Sequence, residues 1–176
     1  MTEYRELNAS EITEDIFSGF IRRQEVTKCR RRVNGEWAVV NDPFIDDWTH
    51  KDHLRLARSL RETLRGGGFV YGAFSRGVLK GFVTVEPEPF GGQGEYLDLG
   101  HLHVSLDMRR KGIGLRLFEA ACAWARERGA KKLYISAHSA LESQSFYQKA
   151  GCVEAAEYNA AHVEKEPCDC QLERLL

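Results

Sequence analysis

The stretch Arg109-Arg110-Lys111-Gly112-Ile113-Gly114 lies between an apolar run and an amphipathic segment, and its reading decides the fold. Before it, Tyr96-Leu97-Asp98-Leu99-Gly100-His101-Leu102-His103-Val104 is rich in strand formers. After it, Ile113, Leu117, Ala120, Ala121 and Trp124 recur at helical spacing. A strand that turns through glycines into a helix leaves the first-turn N–H groups without intrahelical partners. Those donors and the helix dipole together attract anions. Gly112 and Gly114 let a large phosphorylated ligand approach the backbone without meeting a Cβ. Arg109, Arg110 and Lys111 add positive charge where a pyrophosphate would sit. The local reading is a phosphate-binding turn.

Three kinds of phosphate loop can be excluded on the residues. No Gly-x-x-x-x-Gly-Lys string followed by Ser or Thr occurs. A dinucleotide fingerprint would need a third glycine where Leu117 stands. The His-Arg-Asp and Asp-Phe-Gly elements of a kinase are missing. What remains, Arg109-x-x-Gly112-x-Gly114 after a strand, resembles the acetyl-coenzyme A signature of the GNAT superfamily of N-acetyltransferases. A second block strengthens the resemblance. Lys131 to Ala137 reads as a strand following Gly129, a helix stop. Glu142-Ser143-Gln144-Ser145-Phe146-Tyr147-Gln148-Lys149-Ala150-Gly151-Cys152 then reads as a short helix with Phe-Tyr followed by Gly, similar to the family's second conserved block. The Asn that many members carry seven residues before the Tyr is Ala140 here.

The resemblance implies an α/β fold: a single mixed, twisted sheet flanked by helices, with a bulged central strand before the pyrophosphate-binding helix. It implies acetyl-CoA as co-substrate, no metal, and transfer of acetyl to a primary amine by direct attack in a ternary complex. By distance from the signature, the bulge amides that bond pantetheine and the thioester carbonyl fall on Leu102, His103 and Val104. The pyrophosphate falls on Arg109 to Gly114, including Arg110, Lys111 and Ile113.

Amine acetylation demands a base, because an alkylammonium group titrates near ~10.4 in water. Several subfamilies place a carboxylate or histidine at the position of Asp98, which on a regular strand shares a face with Gly100, Leu102 and Val104. His101 and His103 are reserve candidates on the opposite face, and water is a third possibility. Tyr147 matches the tyrosine that many members place beside the coenzyme A sulfur, where a phenol can donate to the departing thiolate; Phe146 is then the core residue of the pair. Ser143, one turn before Tyr147, is a further coenzyme A contact. A second functional class, a non-catalytic acyl-CoA-binding sensor, stays open beside the enzyme.

Length and composition agree with one domain over 1–176, long enough to bury about 70% of its unfolded surface. A formal charge of −1 gives no net attraction to nucleic acid or an anionic membrane. The N-terminus lacks the apolar core of a signal peptide. Five cysteines without Cys-x-x-Cys spacing read as reduced thiols, and the expected location is cytoplasmic. Cys168 and Cys170 with His162 could be imagined as a metal site; packing is the better reading. The acceptor expected is a small-molecule amine before a protein, with a homodimer left open.

Elsewhere, Tyr4 to Leu7 predicts a first strand and Ser10 a cap for a helix through Phe20, extending towards Val26. Glu36 to Val40 reads as a short extended piece ended by a turn at Asn41-Asp42-Pro43. Thr49 caps a helix to Leu64 that Gly66-Gly67-Gly68 stops; Phe69 to Phe74 and Val78 to Val85 form a hairpin; Asp169 to Leu176 is a closing strand. The basic run Arg22-Arg23 and Lys28 to Arg32 reads as a solvated helix face, and Trp37, Phe44 and Trp48 as a minor core under the first helices.

Overall fold

The computed structural model describes residues 1–176. Chain order is β1 (Thr2–Glu6), β2 (Arg23–Val33), β3 (Glu36–Asp47), α1 (His50–Arg65), β4 (Phe69–Ser75), β5 (Val78–Val85), β6 (Tyr96–Val104), α2 (Ile113–Glu127), β7 (Lys132–Ala137), α3 (Leu141–Lys149), β8 (Val153–Glu154), α4 (Ala160–Lys165) and β9 (Cys170–Leu175). Seven strands form one mixed sheet in the order β1-β4-β5-β6-β7-β9-β8. The β6–β7 pair is its parallel neighbour pair, as expected for two strands joined through a crossover helix; the others are antiparallel. No helix is long and apolar enough to cross a membrane.

The two faces of the sheet bury different clusters. Val83, Val85, Leu97 and Leu99 point to α2, whose Ile113, Leu117, Phe118, Ala121 and Cys122 are the helix's buried stripe. On the other face Val70, Phe74, Leu79 and Phe82 meet Leu56, Ala57 and Leu60 of α1. α1 begins with a capping box in which Thr49 and Asp52 satisfy each other's backbone donors. α2 lies close on β5 because residue 81 has no side chain: a Cβ there would stand 3.0 Å from Leu117 and 3.1 Å from Ile113.

The segment before β2 departs from expectation. Residues 8–20 form successive turns, not a helix. The Asn8 side chain accepts from both the backbone and hydroxyl of Ser10, so Ser10 bonds backwards instead of capping forwards. The backbone bonds Glu11 N to Asn8 O, Ser18 N to Asp15 O and Phe20 N to Phe17 O close three-residue steps. Ile12, Phe17 and Phe20 anchor these turns in the α1 face of the core. The basic run therefore lies on strand β2, where Arg30 and Arg32 stack on Trp37. The extended piece at 36–40 continues through Asn41-Asp42-Pro43 to Asp47 as the long partner of β2. That hairpin docks beside α3 through Arg30 N to Ser139 O at 2.8 Å. The three aromatics do not form one cluster: Trp37 bonds Glu154, Phe44 packs with Val26 and Ala140, and Trp48 stacks on Phe20.

Because α2 rests directly on Gly81, Gly81→Val should overpack the contact and cost about 1–3 kcal/mol. Urea unfolding of the variant should show a lowered midpoint at unchanged m-value; an unchanged midpoint would mean that α2 is not held there.

Candidate active site

The turn from β6 to α2 is built as an anion receptor. Gly112 is the N-cap of α2 with φ +77°, a left-handed conformation suited to glycine, and it offers no capping side chain. The first intrahelical bond is Arg116 N to Gly112 O at 3.2 Å, which leaves the N–H groups of Ile113, Gly114 and Leu115 without helix partners. All three residues line a cavity of about 600 Å³. Arg109 Nε donates to Val104 O at 3.2 Å and ties the turn back to β6. Arg110, at φ +62°, and Arg109 also line the cavity, whereas Lys111 points away and donates to Asp107 O.

The cavity exists because β6 and β7 part. Their parallel pairing covers Tyr96, Leu97 and Asp98 and stops there. Beyond Asp98 the β7-facing edge of β6 has no strand partner, and Leu99 to Val104 form one wall, with Ser136 and His138 on the other side. Leu102, His103 and Val104 are thus cavity residues. Phe146, Tyr147 and Ser143 of α3 close the far side. Tyr147 is the buried member of its pair and Phe146 is half-buried, reversing the expected roles in packing, and both reach the cavity. Burial raises the Tyr147 phenol above its ordinary range, so it stays protonated at all working pH values.

The bulge lies at Gly100, earlier than expected. Thr84 pairs with His101, yet Val85 pairs with Leu99, so Gly100 is the extra residue. A Cβ at Gly100 would stand 2.8 Å from Thr84 Oγ1 and 2.9 Å from Glu86 Oε1, which leaves room for glycine alone. The extra residue reverses the faces of everything after it. Asp98 therefore does not share a face with Leu102 and Val104, as a regular strand would have it. It shares one with His101 and His103, on the α1 side of the sheet.

On that side Asp98 is not itself on the cavity wall. Its Oδ2 takes a hydrogen bond from His162 Nε2 at 2.7 Å, while Oδ1 is buried without a partner. His162, presented by α4, does line the cavity. The bond to Asp98 raises the His162 pKa above its ordinary value against the opposing effect of burial. Burial pushes His101 down to about 4 and His103 well below the usual imidazole range, so both are neutral near pH 7. Glu86, bonded to Thr63 Oγ1 at 2.7 Å, is raised by burial and by the nearby Asp98 charge.

A family model described as the acetyltransferase (GNAT) family matches residues 36–152, two-thirds of the chain. The chain belongs to the GNAT acetyltransferase family. It is therefore an acyltransferase, and of the two functional classes left open by the sequence the enzyme is the supported one. Solved structures share the fold. Nourseothricin acetyltransferase superposes with a TM-score of 0.70 at 18% identity, over 99% of this chain and 98% of that one. PaiA N-acetyltransferase from Thermoplasma acidophilum, in complex with coenzyme A, gives 0.59 at 16% identity over 100% and 99%. A GNAT family acetyltransferase from Elizabethkingia anophelis with acetyl-CoA bound gives 0.53 at 21% identity over 68% and 82%. No curated protein matches the chain.

Sequence reasoning missed two groups in this GNAT site. His162 lies 64 positions from Asp98 in a segment without a motif, so no local signal joins them. Arg22 was read as one charge of a solvated run, yet it is buried on the cavity wall. Arg22 and Gln24 are polar like their neighbours Arg23 and Glu25, so no apolar–polar alternation marks the strand, and the burial of Arg22, Gln24 and Val26 appears only in the fold. Cys168 is exposed and Cys170 buried in the core, so the pair does not share an environment.

His162 gains its raised pKa only on folding, so its contribution to stability is complete below the unfolded value of ~6.5 and fades as pH rises through the folded value. Proton NMR titration should find one imidazole above ~6.5, falling in Asp98→Asn, and one near 4 from His101. A His162 resonance unaffected by Asp98→Asn would break the assignment.

Proposed function

We propose that this acyltransferase moves an acetyl group from acetyl-CoA to the primary amine of a small molecule, with His162 as the base and Asp98 as the residue that orients it. The observation that carries the reading is His162 on the wall of the cavity opened by the parting of β6 and β7, held from behind at 2.7 Å by Asp98.

The orphan N–H groups of Ile113, Gly114 and Leu115, with Arg109 and Arg110, fit the diphosphate of the donor. The unpaired edge of β6 suits a pantetheine arm, and there the N–H groups of Leu102 and Val104, which point away from β5, are available to the oxyanion of the attacked carbonyl. The donor supplies the thioester. The amine nitrogen forms the new C–N bond, the C–S bond breaks, and coenzyme A leaves as thiol. His162 removes the proton that the amine loses, and Asp98 stabilises the resulting imidazolium. A raised pKa suits His162 to this task, because it narrows the gap to the amine. His101 and His103, held neutral and less basic, are poor alternatives. Tyr147, protonated and facing the cavity, donates to the sulfur as it departs. Ser143 adds a contact to the coenzyme from the same helix.

The test is release of free thiol from acetyl-CoA with a panel of amines. His162→Gln should lower kcat by about 10²–10⁴-fold. Activity of the wild type should rise with pH as His162 loses its proton. Asp98→Asn removes the charge that raises that pKa, so the acidic limb should move to lower pH with a lower plateau. An unchanged profile in His162→Gln would transfer proton removal to water.

Tyr147→Phe should lower kcat and kcat/KM together by about 10²-fold or more, with the KM for acetyl-CoA little changed. Full kcat with a raised KM would make Tyr147 a binding residue only.

A further inference from the structure

Arg22 immediately precedes β2, and its side chain is 7% exposed on the cavity wall beside His103. One nitrogen, Nη2, donates to Asp46 Oδ2 at 2.5 Å. The other two, Nε and Nη1, are buried and bond nothing. Buried polar groups are ordinarily satisfied, and a charged donor left without an acceptor is costly. The guanidinium is also held in place. It lies 5.2 Å from the centre of the Trp48 ring, and that ring packs edge-on against His103 at 4.6 Å. The backbone on either side is fixed by Ile21 N to Ser105 Oγ at 2.9 Å and Trp48 N to Arg22 O at 3.1 Å.

A rigid guanidinium that lines a cavity and keeps two buried donors unmatched is suited to an anion, and a planar carboxylate matches its geometry. The phosphates of the donor have their own receptor at the start of α2. Arg22 is near enough to Arg109 of that receptor to feel its charge, but it packs with Trp48 and His103 on the α1 side of the sheet, the side on which Asp98 lies. Of the other acids near it, Glu142 is exposed and is engaged by Gln24 at 3.5 Å. We propose that Arg22 binds a carboxylate of the acceptor, so that the acceptor class is amino acids and related amines that carry a carboxylate. This rests on the acetyl-transfer reading above and names the substrate class of the same site.

The experiment compares each proteinogenic L-amino acid with its own α-carboxamide, in the thiol-release assay at saturating acetyl-CoA. Accepted amino acids should show kcat/KM about ten- to a hundredfold above their amides. Arg22→Gln should bring that ratio close to one while leaving the KM for acetyl-CoA unchanged, and Arg22→Lys should retain part of it. Asp46→Asn breaks the ion pair but keeps the guanidinium, so it should retain the preference and separate recognition from damage to the hairpin. Calorimetry of the same acid and amide pairs with the protein saturated in coenzyme A reads the preference without turnover. Acid-selective binding without thiol release would therefore sink the transfer reading and leave the receptor standing. The receptor is overturned if no pair favours the acid in either assay, or if the preference survives Arg22→Gln. It is equally overturned if Arg22→Gln raises only the KM for acetyl-CoA, which would give the guanidinium to the coenzyme.

Discussion

The site depends on one topological constraint: β6 and β7 are parallel neighbours that stay paired for three residues and then part. A parallel pair needs a crossover, and here the crossover is α2. The helix must therefore start at the carboxyl end of β6, at the mouth of the gap that the parting opens. One connection thus places the orphan donors of a helix N-terminus beside an unpaired strand edge. A ligand with a charged head and an extended arm meets both together. α2 could not sit so close to the sheet without Gly81 beneath Ile113 and Leu117.

A second constraint is the residue added at Gly100. Without it, Asp98 and the two histidines would face opposite sides of the sheet. With it, one face collects Asp98, His101 and His103 above a floor that includes Glu86 and Thr84. Burial and charge then separate the nearby imidazoles in basicity. The two strand histidines are driven to the neutral form, while His162, bonded to a carboxylate, is held more basic. The same imidazole chemistry is tuned in opposite directions within one cavity, by desolvation in one case and by a charge partner in the other.

The β2–β3 hairpin adds residues to the cavity wall that lie outside the strand–turn–helix unit. It enters through the turns at 8–20, which are anchored by Ile12, Phe17 and Phe20, and it docks on the loop before α3. Its first residues bring a buried guanidinium to the wall, and its last bring Asp46 to balance that charge. Trp48, just past its end, completes the packing against His103. None of these residues belongs to the strand–turn–helix motif.

The strand–turn–helix at Tyr96 to Glu127, the hairpin at Phe69 to Val85, the helix capped by Thr49 and the closing strand were legible in the sequence. Their signals are local: period, glycine, cap and turn chemistry act within a few residues. The glycine turn with orphan helix donors was legible for the same reason, since Arg109 to Gly114 carries it in six consecutive positions. Ser10 looks like the cap of a helix through Phe20 towards Val26, and only the bond it makes backwards to Asn8, with the core waiting for Ile12, Phe17 and Phe20, turns the chain into loops and a strand. Tertiary structure alone decided the bulge position, because strand register is set by the partner strand and not by the strand itself. It also decided the pairing of His162 with Asp98 across 64 residues and the burial of Arg22. Those contacts follow from which elements the sheet order makes neighbours, and a one-dimensional pattern carries no record of that order.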